Sequence, residues 1–423
     1  MRVAVVGTGV SGLVAAHLLQ SRAELTIFEA RDRIGGHVAT VEVEGPTGGA
    51  MAVDTGFIVY NRRNYPLFSR LLDDLGVETQ PSDMSFSVRC DRTGLEYNGS
   101  TLRQLFSRRR NLLDPGFYRM LLDILRFNRE AVGALENGAA QASLGEYVVS
   151  AGYSRRLAEH YLVPMGSALW SVPRSRVLDM PAAFFVRFFE NHGMLTVDDR
   201  PEWRVVTGGS RRYVEALVRP FRPRIRTGAS VQRVERTEDG VRVDGTLFDH
   251  VVLACHSDQA LALLADATPA ERAILGALPY QENDVVLHTD TSVLPRRRRA
   301  WGSWNYWLKG GDDAPATVTY DMNLLQSLPG DTTYCVTLNA TDAIDPETIL
   351  HRTSYAHPVY TQAGFAAQKR YEEIGGAARR THFCGAYWGY GFHEDGVRSG
   401  VRVARDLGVD VGSALGSAAR SAA

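Results

Sequence analysis

The apolar pattern opens with a β-branched run, Arg2 to Val6, followed at once by Gly7-Thr8-Gly9-Val10-Ser11-Gly12 and by helical periodicity from Leu13 to Leu19. A second strand-like run, Leu25 to Phe28, ends in Glu29. Strand, glycine turn, helix and strand form the start of a parallel crossover unit. Val38 to Glu44 and Met51 to Val53 read as short strands around the glycine-rich turn Gly45 to Gly49. Tyr65 to Leu75 has helical spacing and stops at Gly76, a C-cap residue. From Pro81 the character changes. Met84 to Val88 and Leu95 to Tyr97 are strand-like, and a helical region spans Leu102 to Leu135 with a break at Asp114-Pro115-Gly116. Leu144 to Val149 and Ser154 to Tyr161 continue in helical pattern. In the run from Pro181 to Phe189, Phe184, Phe185, Phe188 and Phe189 fall on one broad helix face, which serves either core packing or the wall of an apolar channel.

In the second half, Ser210 is placed to N-cap a helix from Arg211 to Val218. Ile225 to Val234 and Val241 to Val243 alternate as strands, with a turn at Glu238-Asp239-Gly240. Phe248 to Cys255 reads as a buried strand, and Asp284 to Asp290, Ala316 to Met322 and Tyr334 to Ala340 as an antiparallel sheet. A last strand runs into Gly385, then an aromatic-glycine loop, then a helix opening near Gly396. This order predicts an α/β chain: a discontinuous dinucleotide-binding domain (1–80, 200–265 and 375–411) with an inserted α+β substrate domain (81–199 and 266–374). The Ala-, Ser- and Gly-rich stretch 412–423 reads as a flexible tail.

Composition narrows the function classes. At 423 residues, two intertwined domains are the expectation. A net charge of −1 argues against a general nucleic-acid binder. Basic residues are almost all arginine, Lys309 and Lys369 being the only lysines. Cys90, Cys255, Cys335 and Cys384 are scattered, as expected of reduced thiols in a cytoplasmic protein. The chain opens directly into a strand that the fold needs, so no signal peptide is expected. No apolar run approaches the roughly 18 residues of a membrane span. His393-Glu394-Asp395-Gly396 lacks the second histidine of a zinc helix, and no metal is expected. Arg296 to Arg299 is either a solvated loop or a contact with anionic lipid headgroups.

The glycine turn carries the first chemistry. Gly7 permits the tight turn, Gly9 lets a pyrophosphate approach the backbone, and Gly12 lets the helix pack close to the strand. Val10 and Ser11 open the helix, whose N-terminus favours phosphate. Glu29, 22 positions after Gly7, suits the adenosine ribose hydroxyls. Glu29-Ala30-Arg31-Asp32-Arg33-Ile34-Gly35-Gly36 then reads ExxxRxGG. This resembles the fingerprint of the flavin-dependent amine oxidase, phytoene desaturase and protoporphyrinogen oxidase superfamily. The resemblance implies FAD in a Rossmann-like (GR2-type) domain, with Arg33, Gly35 and Gly36 beside the pyrophosphate and ribityl chain. It also implies Gly56 and Phe57 passing the flavin ring, and Val231 meeting adenine through its backbone. Near the other end of the chain, the segment from Thr381 to Gly400 resembles the superfamily's second anchor. There Gly385 lies near the ribityl chain, and Gly396 and Val397 belong to a helix aimed at the flavin pyrimidine edge. Such an N-terminus suits the negative charge of a reduced flavin. On this reading Gly396 lets the backbone approach the ring.

The chain departs from the amine oxidases at two points. Many hold a lysine on a substrate-domain strand, bridged by water to flavin N5, whereas the comparable stretch Asn283 to Asp290 has none. After Gly385, where relatives often have glutamate, stands Ala386. The cysteines show no pattern for covalent attachment, so the FAD is expected to be non-covalent. The whole chain more closely resembles a bacterial subgroup of amine-oxidase-like flavoproteins, through DTGFIVYN (54–61), FFENHGML (188–195), WRVVTGGS (203–210), SWNYW (303–307) and GAYWGYGFHEDG (385–396). Members often lie near cyclopropane-fatty-acid-synthase-like methyltransferases, which implies a lipid or fatty-acyl substrate. The leading expectation is therefore an FAD-dependent oxidoreductase taking hydride from an apolar substrate. The alternatives are a redox-neutral double-bond isomerase, an amine oxidase, and an FAD-bound partner of a lipid methyltransferase. Tyr387, with Trp388 and Tyr390, would shape the ring site. His393 and Glu394 are the nearest acid–base candidates, unless they cap the Gly396 helix.

Overall fold

The computed structural model describes residues 1–45, 48–136, 142–196, 200–309 and 315–414. A five-stranded, all-parallel sheet is ordered Ile225–Arg226, Glu24–Phe28, Arg2–Val6, His250–Leu253 and Thr381–Phe383. The opening strand is central and sorts its side chains by the two-residue period. Val3 and Val5 join the core beneath helices Val10–Leu19 and His393–Asp406. Ala4 and Val6 face the opposite layer, the meander Val234–Thr237, Gly240–Val243 and Thr246–Phe248. The first helix begins at Val10 rather than Leu13, because the glycine turn itself supplies its first turn.

The alternation from 225 to 234 is only partly sheet. Between Arg226 and Val234 the chain instead runs beside the Glu29 loop, where the Ala229 N–H donates to the Glu29 carbonyl at 2.8 Å and the Gly228 N–H to the Arg31 carbonyl at 3.0 Å. Gly228 takes φ +63° there. The apolar residues of that stretch are buried against a loop, which leaves the same alternating signature as a strand.

A second, seven-stranded sheet is ordered Ile349–Pro358, Tyr280–His288, Cys335–Leu338, Val318–Asp321, Trp304–Leu308, Phe86–Cys90 and Leu95–Asn98. Its pairs are antiparallel except Trp304–Leu308 with Phe86–Cys90, which joins distant parts of the chain in parallel. The single helical region expected at 102–135 is three pieces: helix Leu102–Leu105, a 3₁₀ turn Arg109–Leu113 and helix Pro115–Glu136. The Asn111 amide holds the break by donating to the carbonyls of Glu96 (3.0 Å) and Leu105 (3.4 Å). Asp114 caps the long helix, accepting the Gly116 N–H at 3.0 Å. Further on, a π turn (Ala158–Leu162) precedes Val163–Trp170, because Pro164 has no N–H to return to His160.

The phenylalanine helix, Ala182–Asn191, buries all four rings to 1 % exposure or less. Phe184 stacks on Tyr360 at 4.7 Å and Phe188 on Phe392 at 4.9 Å. These rings are core, closing over the aromatic-glycine loop. Of the expected tail, residues 412–414 belong to a short helix, Val411–Ala414, and 415–423 lie outside the described residues.

Candidate active site

Gly7 has φ +106°, and a Cβ on it would lie 2.7 Å from the Ala254 carbonyl oxygen. A Cβ on Gly12 would overlap the Gly7 carbonyl. Gly9 has nothing within 4 Å of its Cβ position, so its freedom serves an approach from outside the chain. Among the described residues no side chain caps helix Val10–Leu19, which leaves its first N–H groups to an anion. The Gly35-Gly36 turn folds over this spot, placing a Gly36 Cβ 2.9 Å from Gly9 Cα. Thr8, which the sequence reading passed over, locks these parts together. Its hydroxyl donates to the Glu29 carboxylate and accepts the Gly35 N–H at 3.2 Å, and its own N–H donates to Glu29 at 3.0 Å. The Arg31 N–H donates to the other Glu29 oxygen at 2.9 Å, next to exposed Ala30, and Arg33 donates to the Val38 carbonyl at 3.0 Å. Val231 is buried in the core layer opposite the helices, and among the described residues its backbone groups take no partner.

The late helix opens at His393, three residues before the expected Gly396. A Cβ on Gly396 would stand 2.5 Å from Val10 Cγ1, and one on Gly400 would stand 2.6 Å from the Ser11 carbonyl oxygen. Gly396 therefore serves helix–helix approach, and Val397 is fully buried beside it in the same core. The contact advances along both helices together, so they are parallel and their N-termini adjoin. Two such termini concentrate partial positive charge at one place. The Gly385 N–H donates to Ser399 Oγ at 3.0 Å, tying the last strand to this helix.

His393 and Glu394 have structural employment. Glu394 accepts the N–H groups of Leu67 (3.1 Å) and Phe68 (2.9 Å), capping helix Pro66–Asp74 rather than its own helix. Asp395 holds the preceding loop, accepting from Tyr390 (3.0 Å) and Phe392 (3.1 Å). His393 stacks on Phe57 at 3.4 Å and shares a 2.9 Å hydrogen bond with the Tyr213 hydroxyl. Burial lowers its pKa to about 3, so it is neutral at pH 7. Ser210 is no side-chain cap either: its N–H (2.9 Å) and its hydroxyl (2.9 Å) both donate to the buried Asp54 carboxylate, which also accepts from Thr40 at 2.6 Å.

Of the three loop aromatics, Tyr387 and Trp388 lie 5.0 Å apart and Tyr390 turns to a different neighbour. Tyr390 packs on Phe184 and Trp388 on Tyr371, while Tyr387 folds against Gly385 with Tyr280 and Cys255 as neighbours. From there a chain of rings crosses between the two sheets. Tyr280 stacks on His256 at 4.3 Å, and His37 lies 5.7 Å from His256, 5.5 Å from His357 and 5.1 Å from Tyr355. Gly56 sits against this group, since a Cβ on it would overlap the His37 carbonyl, and the Phe57 N–H donates to that carbonyl at 2.9 Å. His37 Nε2 donates to the Ala356 carbonyl at 3.1 Å, and His357 Nδ1 accepts from the Asn283 amide at 3.0 Å. Those partners set both tautomers. Burial holds all three imidazoles neutral, His357 at about 4. No local motif marked these histidines, which come together from three separate parts of the chain. The strand Tyr280–His288 begins earlier than read and still carries no lysine. Among the described residues no group of three or more His, Cys, Asp or Glu converges for a metal.

The glycine cradle, the carboxylate ending the second strand, the open backbone of Val231 and the paired helix N-termini fit an adenine dinucleotide joined to a ring that takes up negative charge. They define an FAD-dependent oxidoreductase. The chain belongs to the flavin containing amine oxidoreductase family, whose sequence model matches residues 10–319. Over 357 residues it is 27 % identical to a Mycobacterium tuberculosis protein assigned as the flavin-containing monoamine oxidase AofH, covering 78 % of this chain and 72 % of that one. The fold is similar to cyclohexylamine oxidase from Brevibacterium oxydans (TM-score 0.66, 17 % identity, covering 96 % and 99 % of the two chains). It is equally similar to a CLA-producing fatty acid isomerase from P. acnes (TM-score 0.68, 14 % identity, covering 96 % and 98 %). Among the described residues no helix is long and apolar enough to cross a membrane.

Proposed function

We propose that this enzyme takes a hydride from a C–H bond of an apolar, fatty-acyl substrate, the adjacent carbon giving up its proton to a neutral seam imidazole as a double bond forms. One observation carries the reading: every histidine and carboxylate described at the seam is either neutral near pH 7 or occupied by structural hydrogen bonds. His37, His256, His357 and His393 are uncharged. Glu394 and Asp54 are engaged with backbone and hydroxyl donors. The strand where many relatives hold lysine has none. Such a lining suits an alkyl chain, because its imidazoles are uncharged and its carboxylates are already held by internal hydrogen bonds.

When bound, FAD supplies the hydride acceptor. The protein's part is to hold, orient and keep dry. The adjoining N-termini at Val10 and His393 would hold the cofactor's anionic groups, while Phe57, Tyr355, Tyr280 and Tyr387 wall the seam with rings. Burial pushes the Cys255 and Cys384 thiols up to about 12, which keeps them protonated and supports a non-covalent cofactor. A second reading returns the hydride to another carbon of the same chain and shifts a double bond. It is favoured because burial makes every seam histidine a weak proton acceptor, and because a fatty acid isomerase has a similar fold.

Anaerobic mixing of the FAD-loaded enzyme with unsaturated fatty acids and, separately, with amines tests the proposal. Loss of the oxidised-flavin absorption band is expected with fatty acids and not with amines. Recovery of the band without an added acceptor, together with a shifted double bond in the product, selects the isomerase form. Bleaching by amines with silence across the fatty acids discards both.

A further inference from the structure

We propose that the outward face of helix Pro115–Glu136, with the turn before it, docks on an anionic phospholipid surface. The helix has two apolar faces. Phe117, Met120, Phe127 and Ala131 turn inward and are fully buried. Tyr118, Leu122 and Leu125, at i, i+4 and i+7, form an opposite stripe, with Leu122 64 % exposed. The turn Arg109–Leu113 adds Leu113 at 86 %, and the short helix before it adds Leu102 at 76 %. Six of the ten large hydrophobic side chains exposed among the described residues fall between 102 and 125. Scattered exposed leucines are ordinary, but a contiguous set of this kind marks a contact surface.

Charge selects the occupant. Residues 102–130 carry seven arginines against two aspartates and Glu130, which pairs with Arg126 and Arg129. Both aspartates are engaged: Asp114 with Arg156 at 2.9 Å, and Asp123 with the Ser154 N–H at 2.9 Å and with Arg119. Arg103, Arg109 and Arg110 are exposed and make no ion pair among the described residues. The turn Arg298–Ala300 borders helix Leu102–Leu105, so exposed Arg298 and Arg299 extend the same basic rim, while Arg296 and Arg297 pair with Asp91 and Glu96. Exposed leucines ringed by arginines match a membrane interface: alkyl side chains enter the acyl boundary while guanidinium groups reach headgroup phosphates. A second copy of this chain is the poorer occupant, since self-pairing across a two-fold axis would set arginines against arginines. The inference is independent of the substrate reading.

The test is flotation of the FAD-loaded enzyme with phosphatidylcholine vesicles, with and without phosphatidylglycerol, read by flavin absorbance. Flotation is expected only with the anionic vesicles. An arginine near such a surface is worth about fivefold in partition, so Arg109→Glu/Arg110→Glu is expected to lower it by at least about tenfold. Leu113→Ser/Leu122→Ser should lower it comparably. All four positions are exposed, so the flavin spectrum and Tm of the variants report that the fold is intact. The proposal is overturned by absence of flotation, by equal flotation with neutral vesicles, or by variants that bind vesicles like the parent. It is equally overturned if the variants only convert a dimer to a monomer.

Discussion

Asp54 shows how much a single buried carboxylate can bear. It accepts hydrogen bonds from Thr40, from the N–H and hydroxyl of Ser210 and from Gln326, yet burial outweighs them and raises its pKa from 3.8 to about 6. The folded protein therefore keeps a proton that the unfolded chain releases between about pH 4 and pH 6, so this group makes stability fall as pH rises through that window. The loss is on the order of 3 kcal/mol. Asp54→Asn removes the titration. The Tm difference between parent and variant is expected to shift against the parent from pH 4 to 6.5, and a flat difference would sink the idea. Residues of this kind were the least legible from sequence. Asp54 was readable as part of a D-x-G segment, but its partner Ser210 lies 156 positions away and was taken for a helix cap. Glu394 likewise caps a helix 327 positions earlier, and side-chain-to-backbone bonds at such separations leave no local pattern.

Among the elements, the paired helices Val10–Leu19 and His393–Asp406 carry the site. Their approach rests on the absence of a side chain at Gly396 and Gly400. Gly396→Ala would press a methyl group onto Val10, costing about 1–3 kcal/mol. Because the clash is with a side-chain methyl, Val10→Ala is expected to relieve it, so the double variant should be more stable than the sum of the single changes predicts. Gly400→Ala meets the Ser11 carbonyl instead and is not expected to be rescued by Val10→Ala. Thermal unfolding and FAD retention of the set check this, and strict additivity at Gly396 and Val10 would refute the contact. Both helices were visible in the sequence because glycine spacing and apolar period agree there. Which glycine leaves open space at its Cβ position and which meets the neighbouring helix was not visible, since both uses demand the same missing side chain. The strand misread at 227–233 has a similar origin, because burial against a loop and burial in a sheet leave the same alternation.

At the scale of the whole molecule, neutral buried histidines dominate the pH response. Burial lowers His160, His192, His288 and His357 to about 4 and His393 to about 3. The unfolded chain binds these protons below about pH 6.5 and the folded one does not, so their contribution is complete above that value and is lost as pH falls toward 4. Burial raises the carboxyls of Asp54, Asp321, Glu394 and Asp395, which titrate in the opposing sense, four groups against nine lowered histidines. Calorimetry is expected to show Tm dropping steeply from pH 6.5 to 4.5 with uptake of several protons on unfolding, and a level Tm across that range would contradict it. The α/β class and the FAD-binding half were legible at this scale, because both cofactor motifs are local. The parallel pairing of Phe86–Cys90 with Trp304–Leu308 was not, since the two strands lie more than 200 residues apart.

The order of the parallel sheet bears on how the protein comes into being. The glycine cradle leaves the ribosome well before the edge strand Thr381–Phe383 and the helix beginning at His393. Until then the Val10 helix lacks the neighbour that covers it. Contacts of such sequence separation form late. A site built from both helix N-termini is therefore complete only once the His393 helix has been made, and a ligand that binds there stabilises that late contact.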